Sequence, residues 1–261
     1  MSGKALVITS GKGGVGKTTT TANIGAALAL QGKNIVLLDA DIGLRNLDVV
    51  MGLENRIVYD LINVVEGVCT FRKALIRDKR IEGLYLLPAA QTKDKDAIKP
   101  EQMKKVIDDM LIDCPAGIEQ GFLNAITSAD EAIIVVTPEI SSVRDADRVV
   151  GLLDKKGNIP TEKMHMVVNR IRMDMVRKKE MLDVSDIQDL LRIGVLGVIP
   201  DDESVIVSTN KGEPIVLNNK NSVAQAYRDA AARLLGEDIP FDDEHQNGFF
   251  GAIMRFFGLA Q

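Results

Sequence analysis

The sequence predicts an α/β domain built on a mostly parallel, twisted sheet with helices on both faces. Two observations predict it: short β-branched apolar runs alternate with helical stretches, and the first run opens into a glycine-rich loop leading to a helix. Seven runs have this character: Ala5 to Thr9, Asn34 to Leu38, Leu84 to Pro88, Leu111 to Cys114, Glu131 to Thr137, Met164 to Asn169 and Gly194 to Pro200. Their apolar character marks buried strands of a parallel sheet. Between them, one helix is predicted from Ser141 or Ser142 through Leu153, and another from Ser222 to Leu235, stopped by Gly236. In such a sheet ligands bind beyond the carboxyl ends of the strands, and those positions hold Lys12, Asp39, Asp41, Asp113, Pro138 and Asn169.

Composition narrows the function. A length of 261 residues suits one α/β domain with a full core, and 46% hydrophobic against 26% charged residues excludes a disordered or collagen-like chain. The net charge of -5 argues against nucleic acid as a partner held by bulk charge. Cys69 and Cys114 are far apart and form no CxxC pair, so neither a disulfide framework nor a closed zinc site is indicated, and a reducing cytoplasm fits. No apolar run reaches the roughly 18 residues of a membrane span, and the opening Met1-Ser2-Gly3-Lys4 leads into a strand rather than a signal peptide.

The loop after the first run, Gly11-Lys12-Gly13-Gly14-Val15-Gly16-Lys17-Thr18-Thr19, satisfies G-x-x-x-x-G-K-[ST] in a strand-loop-helix setting. Its glycines let backbone amides converge on phosphate oxygens at the positive end of a helix; Lys17 reaches the β and γ phosphates and Thr18 ligates magnesium. The ligands expected at this loop are therefore the β and γ phosphates of a nucleotide and Mg2+. Lys12 adds a second positive charge inside the loop, where a neutral residue would suffice for cradling phosphate.

Carboxylates follow at the next strand ends. Asp39 and Asp41 leave the second run at i and i+2: Asp41 is the candidate to orient the attacking water and touch the metal, while Asp39 supports the metal's water shell or the loop, or caps the next turn. Asp113 is the carboxylate that binds magnesium through water. Segments at Gly43 and Gly117 are candidate γ-phosphate switches, and Cys114 reads as a packed thiol rather than a cluster ligand.

Three parts follow along the chain: a P-loop domain at 1–239, an acidic tether at 240–247 and an amphipathic segment at 248–261. In the last, helical spacing puts Phe249, Ile253, Phe256 and Phe257 on one face, widened by Phe250 and Met254, with Leu259 at its end. This segment suits lying in a membrane interface; four Phe at roughly 1.5–3 kcal/mol each give a reversible anchor that two copies would strengthen. Packing of the same face on the body or a partner is the alternative.

The loop Lys12 to Thr18 resembles that of the deviant Walker A ATPases, and the chain as a whole resembles the MinD/ParA family of these P-loop NTPases, nearest its septum-placing branch. The likeness runs through Asp41 to Asp48, Val58-Tyr59-Asp60, Gln91 to Asp96, Asp113 to Glu119, Ser141 to Asp145 and the tail. The resemblance implies that Lys12 acts across an ATP-dependent homodimer and that Asn169, Pro200 and Asp202 lie near adenine. It further implies docking on inner-membrane lipid, recruitment of a MinC-like division inhibitor and release by a MinE-like ATPase activator. A ParA-like DNA-segregation ATPase, an ATPase setting flagellar number and a nonhydrolytic scaffold are the rival readings. One departure stands out: the predicted helix Pro100 to Asp109 runs almost directly into Met110-Leu111-Ile112-Asp113, where the family has several more residues, so this strand should be short.

Overall fold

The computed structural model describes residues 4–40, 46–89, 126–127 and 129–241, and the main chain alone at 110–113. Eight strands form one sheet: β1 (Leu6–Thr9), β2 (Ile35–Asp39), β3 (Ile76–Arg77), β4 (Leu84–Leu87), β5 (Met110–Asp113), β6 (Glu131–Val136), β7 (Met164–Ile171) and β8 (Gly194–Pro200). Their order is β3-β4-β2-β5-β1-β6-β7-β8, parallel throughout except for β3, which pairs antiparallel with β4. All seven expected strands are present. The two-residue β3 was not expected, because it is too short for any periodicity to register.

Alternation along the strands builds two cores. Ala5 just ahead of β1 and Val7 within it, Val36 and Leu38 of β2, and Ala132, Ile134 and Val136 of β6 face the helices Leu61–Val65, Ile140–Gly157 and Val184–Leu191. Leu6, Ile8, Leu37, Ile133 and Val135 face the helices Lys17–Leu30 and Ser222–Leu234 on the other side. β1 sits between β5 and β6, so the chain turns one way after β1 and the other way after β5, and the crevice of this topology opens at the carboxyl end of β1.

β5 has four residues, as its shortened sequence suggests, and still fills its place: Asp113 lies opposite Ile8 of β1 and Asp39 of β2. The segment ahead of it, with the predicted helix Pro100 to Asp109, is outside the described residues.

Helix ends follow local chemistry, with one correction. Ser141 and Ser142 do not cap their helix: it starts at Ile140 after Glu139, and the Ser142 hydroxyl accepts the Thr137 N–H at 3.1 Å, tying down the exit of β6. The helix continues past Leu153 to Gly157, where Asn158 turns left-handed. The last helix runs Ser222–Leu234 as expected, with Asn221 capping Ala224 N–H; Gly236 (φ +90°) donates to the Arg233 carbonyl and Glu237 to that of Ala232, closing a Schellman motif.

Beyond that helix, Arg233 secures the chain to the body. It donates to the carbonyls of Ile239 (2.8 Å), Pro240 (3.0 Å) and Leu196 (3.0 Å), and its guanidinium lies 3.7 Å from the centre of the Phe241 ring. Pro240 and Phe241, assigned to the tether from sequence, thus rest on the body. Residues 242–261, with Phe249, Phe250, Ile253, Met254, Phe256, Phe257 and Leu259, lie outside the described residues.

Candidate functional site

The loop that leaves β1 is shaped by three close approaches. A Cβ on Gly11 would fall 2.2 Å from the Asp145 carbonyl carbon, so only glycine lets the loop touch the Ile140–Gly157 helix. Gly16 has φ +99°, and a Cβ there would fall 2.3 Å from Asn169 Nδ2. Ser10 Oγ donates to the Lys12 carbonyl at 2.7 Å, tightening the first bend. Around Gly13 and Gly14 the opposite holds: a Cβ would meet nothing within 4 Å, leaving open space over the loop.

Gly16 is also the N-cap of the Lys17–Leu30 helix, and no side chain caps the helix. No acidic side chain stands in its first turn either. A long, buried helix thus points its uncapped N–H groups and positive end at the open side of the loop, an arrangement suited to phosphate. Lys17 is buried, Thr18 and Thr19 are half-buried, and Val15 closes the loop from beneath. Buried contacts hold the helix in place: Thr20 Oγ1 and Tyr227 OH lie 3.3 Å apart, and Asn23 donates to the Thr19 carbonyl (2.8 Å) while accepting Val216 N–H (3.2 Å). Burial pushes the Tyr227 hydroxyl up to about 12, so it stays neutral.

Lys12 faces the other way. It is exposed, and its Nζ lies 3.5 Å from Glu139 Oε2, itself exposed at the start of the next helix. An ion pair this exposed contributes little and releases easily. Lys12 is therefore a mobile charge on the rim, whereas Lys17 is a fixed one inside.

The remaining predicted residues fall at the carboxyl ends of neighbouring strands. Asp39 is buried and its Oδ2 accepts Leu47 N–H at 3.3 Å, so of the readings left open for it the structure displays the cap of the next helix. Asn169 is buried at the end of β7 and donates from Nδ2 to the Val15 carbonyl at 2.7 Å, which braces the loop. Pro200 ends β8, and the exposed Asp202 accepts Ser204 N–H at 2.7 Å; hydrogen bonding from the Ser204 hydroxyl first, and from its N–H second, holds the carboxyl below the ordinary range. Asp113 ends β5 beside Asp39, known here by its backbone alone. Asp41, Gly43, Gly117 and Cys114 lie outside the described residues.

Three contributors were missed by sequence reasoning. Glu139 had a signal, since it directly follows the strand-end residue Pro138 that was singled out. Tyr227 and Asn23 had none: both sit inside helices, and only packing brings them to the loop's helix.

The family described as the CobQ/CobB/MinD/ParA nucleotide-binding domain matches residues 6–215. The septum site-determining protein MinD of Bacillus subtilis is 54% identical to this chain, over 98% of the chain and 99% of the relative. Among solved structures, MinD in the MinC:MinD cell division complex of Aquifex aeolicus superposes with a TM-score of 0.85 at 50% identity, covering 92% of this chain and 98% of that one. A Pyrococcus horikoshii MinD complexed with Mg-ADP gives a TM-score of 0.78 at 31% identity, covering 90% of this chain and 99% of that one.

Proposed function

The chain belongs to the CobQ/CobB/MinD/ParA nucleotide-binding family, and from that premise we propose that it is a magnesium-dependent ATPase that helps place the division septum. It dimerises around ATP and attaches to the inner face of the cell membrane through its C-terminal segment. There it recruits a MinC-like division inhibitor, and it leaves when a MinE-like activator speeds hydrolysis. The observation that carries this reading is the division of labour between two loop lysines: Lys17 buried at an uncapped helix end, Lys12 exposed on the rim. A relative that pairs with MinC and one that holds Mg-ADP support the partner and the cofactor.

The residues fit that group. The loop is open over Gly13 and Gly14, backbone N–H groups converge at Lys17 and Thr18, and no carboxylate stands in the first turn to repel phosphate. Thr18, with Asp41 and with Asp113 through water, would hold the magnesium ion, which when bound supplies Lewis-acid charge beside the phosphates. Lys17 neutralises charge on the β and γ oxygens, and Asp41 orients the attacking water. Lys12 leaves the weak Glu139 pair to meet a phosphate charge supplied from the partner protomer, the role of an arginine finger. Asn169, Pro200 and Asp202 border the base.

Cosedimentation with anionic vesicles in ATP, ADP and a nonhydrolysable ATP analogue tests the reading on the full chain and on one ending before Gly248. Binding is expected only with ATP or the analogue, and only with the tail. Binding indifferent to nucleotide would refute the switch. Lys12→Ala is expected to abolish both ATP-dependent dimers and turnover; dimers that persist would refute a role in trans.

A further inference from the structure

Two short helices border the candidate site, one after β2 and one after β8, and both end at the same side chain. The helix Leu47–Val50 starts where Asp39 accepts Leu47 N–H. The helix Ser204–Asn210 starts where Asp202 accepts Ser204 N–H, and it contains no buried residue. Apolar contact is limited to the half-buried Val205 against the core, so the anchors at the two ends of the helix carry much of its positioning.

Arg80 is the far anchor of both. Its Nη2 donates to the Met51 carbonyl at 2.6 Å, just past the first helix, and its Nη1 to the Gly212 carbonyl at 2.7 Å, just past the second. Asp78 aims the guanidinium: Nε reaches Oδ1 at 3.1 Å and Nη2 reaches Oδ2 at 2.6 Å, from a carboxylate that is almost wholly buried. At the same junction the backbones of Gly52 and Gly212 touch. A Cβ on Gly52 would lie 2.6 Å from the Gly212 carbonyl oxygen, and one on Gly212 would lie 2.5 Å from Gly52 Cα. From Gly212 the chain runs on to Val216, which Asn23 holds against the loop's own helix.

We propose that Arg80 is a positioning residue for the nucleotide site: by joining the far ends of these two helices it fixes the spacing between the Asp39 side and the Asp202 side. Joining them matters because each helix is anchored at its near end by a carboxylate of the site, so a shift at Met51 or Gly212 is passed to Asp39 or Asp202. The proposal rests on the loop being the ATP site. Lysine keeps the charge but cannot span Asp78, Met51 and Gly212 together.

The test uses the full chain as wild type, Arg80→Lys, Arg80→Ala and Ile187→Val, the last a fully buried site on the opposite sheet face that lowers stability without touching this junction. Binding of Mg-ATP is titrated directly, and KM and kcat are measured beside the thermal midpoint. Both Arg80 variants are expected to weaken ATP binding and raise KM about tenfold with kcat within about twofold, since an unmet positioning bond is felt as lost binding. Ile187→Val is expected to lower the midpoint and leave KM unchanged. Should Arg80→Ala not fold, Arg80→Lys carries the same comparison. A folded Arg80→Lys protein with lowered midpoint and wild-type ATP affinity would overturn the proposal, leaving Arg80 a structural staple. A wild type that binds no Mg-ATP would instead overturn the reading of the loop.

Discussion

The helices Lys17–Leu30 and Ser204–Asn210 flank the same candidate site, yet they are held by opposite means. The first buries eleven of its fourteen residues, among them a run of alanines and Gly25, whose absent Cβ would lie 2.3 Å from Leu37 Cδ2. The second buries none and leaves Ile206 and Val207 in solvent. The helix that follows the loop is thus positioned by close packing, which tolerates little displacement. The helix Ser204–Asn210 is positioned mainly by hydrogen bonds at its ends, from Asp202, Asn221 and Arg80, with only Val205 half-buried, and such bonds can be exchanged or stretched at modest cost.

The comparison can be broken from its packed side first. Tyr227→Ala removes the largest buried side chain between the Lys17–Leu30 and Ser222–Leu234 helices and should cost about 3–5 kcal/mol in urea unfolding, whereas Tyr227→Phe, which removes only the contact to Thr20, should cost about 1 kcal/mol. Equal losses in both variants would mean that the hydroxyl, not the packing, holds the helix. Next in size, Gly11→Ala forces a methyl into the Asp145 backbone and should cost about 2–3 kcal/mol and abolish ATP binding, read by titration. Normal ATP affinity in that variant would show that the packed half yields as readily as the other.

Acid sharpens the picture at the Arg80 junction. Burial pushes the Asp78 carboxyl up, but the hydrogen bonds and charge of Arg80 outweigh it and leave the folded value below the ordinary one. With the folded value depressed, the unfolded chain binds more protons over that interval. The stabilisation is therefore complete above the ordinary carboxylate range and is lost as pH falls through the lower folded value. Asp78→Asn should flatten that part of the acid limb in pH-dependent unfolding; an unchanged limb would contradict the pairing. The smallest effect belongs to the exposed helix: Ile206→Ala should change stability by less than about 0.5 kcal/mol, and a larger loss would mean that this helix is packed after all.

How much of this was legible depended on whether the signal was local. The strand runs, the loop and the last helix were readable because each is written in consecutive residues: β-branched runs, glycines at fixed offsets, and the helix stop at Gly236. The Ser142 cap misled because a hydroxyl near a helix start can satisfy either the helix or the preceding strand, and here the Thr137 N–H captured it. Asp39 was placed at the right end of the right strand, yet its choice between metal support and cap depended on where Leu47 returns. Arg80, Asn23 and Tyr227 carried no motif, since their partners are far along the chain: Arg80 meets Gly212, Asn23 meets Val216 and Tyr227 meets Thr20.

By itself the sequence determined the fold class, the chemistry of the loop and the presence of two unlike lysines within it. These follow from side-chain periodicity and from the backbone freedom of glycine, both properties of neighbouring residues. Only the tertiary structure decided that Lys17 is buried and Lys12 exposed beside Glu139, that Asn169 braces the loop at Val15, and that Arg80 ties the Met51 carbonyl to that of Gly212. Those outcomes depend on which strands lie side by side and which loops cross, because burial and hydrogen-bond partnership are set by elements that meet only once the sheet has assembled.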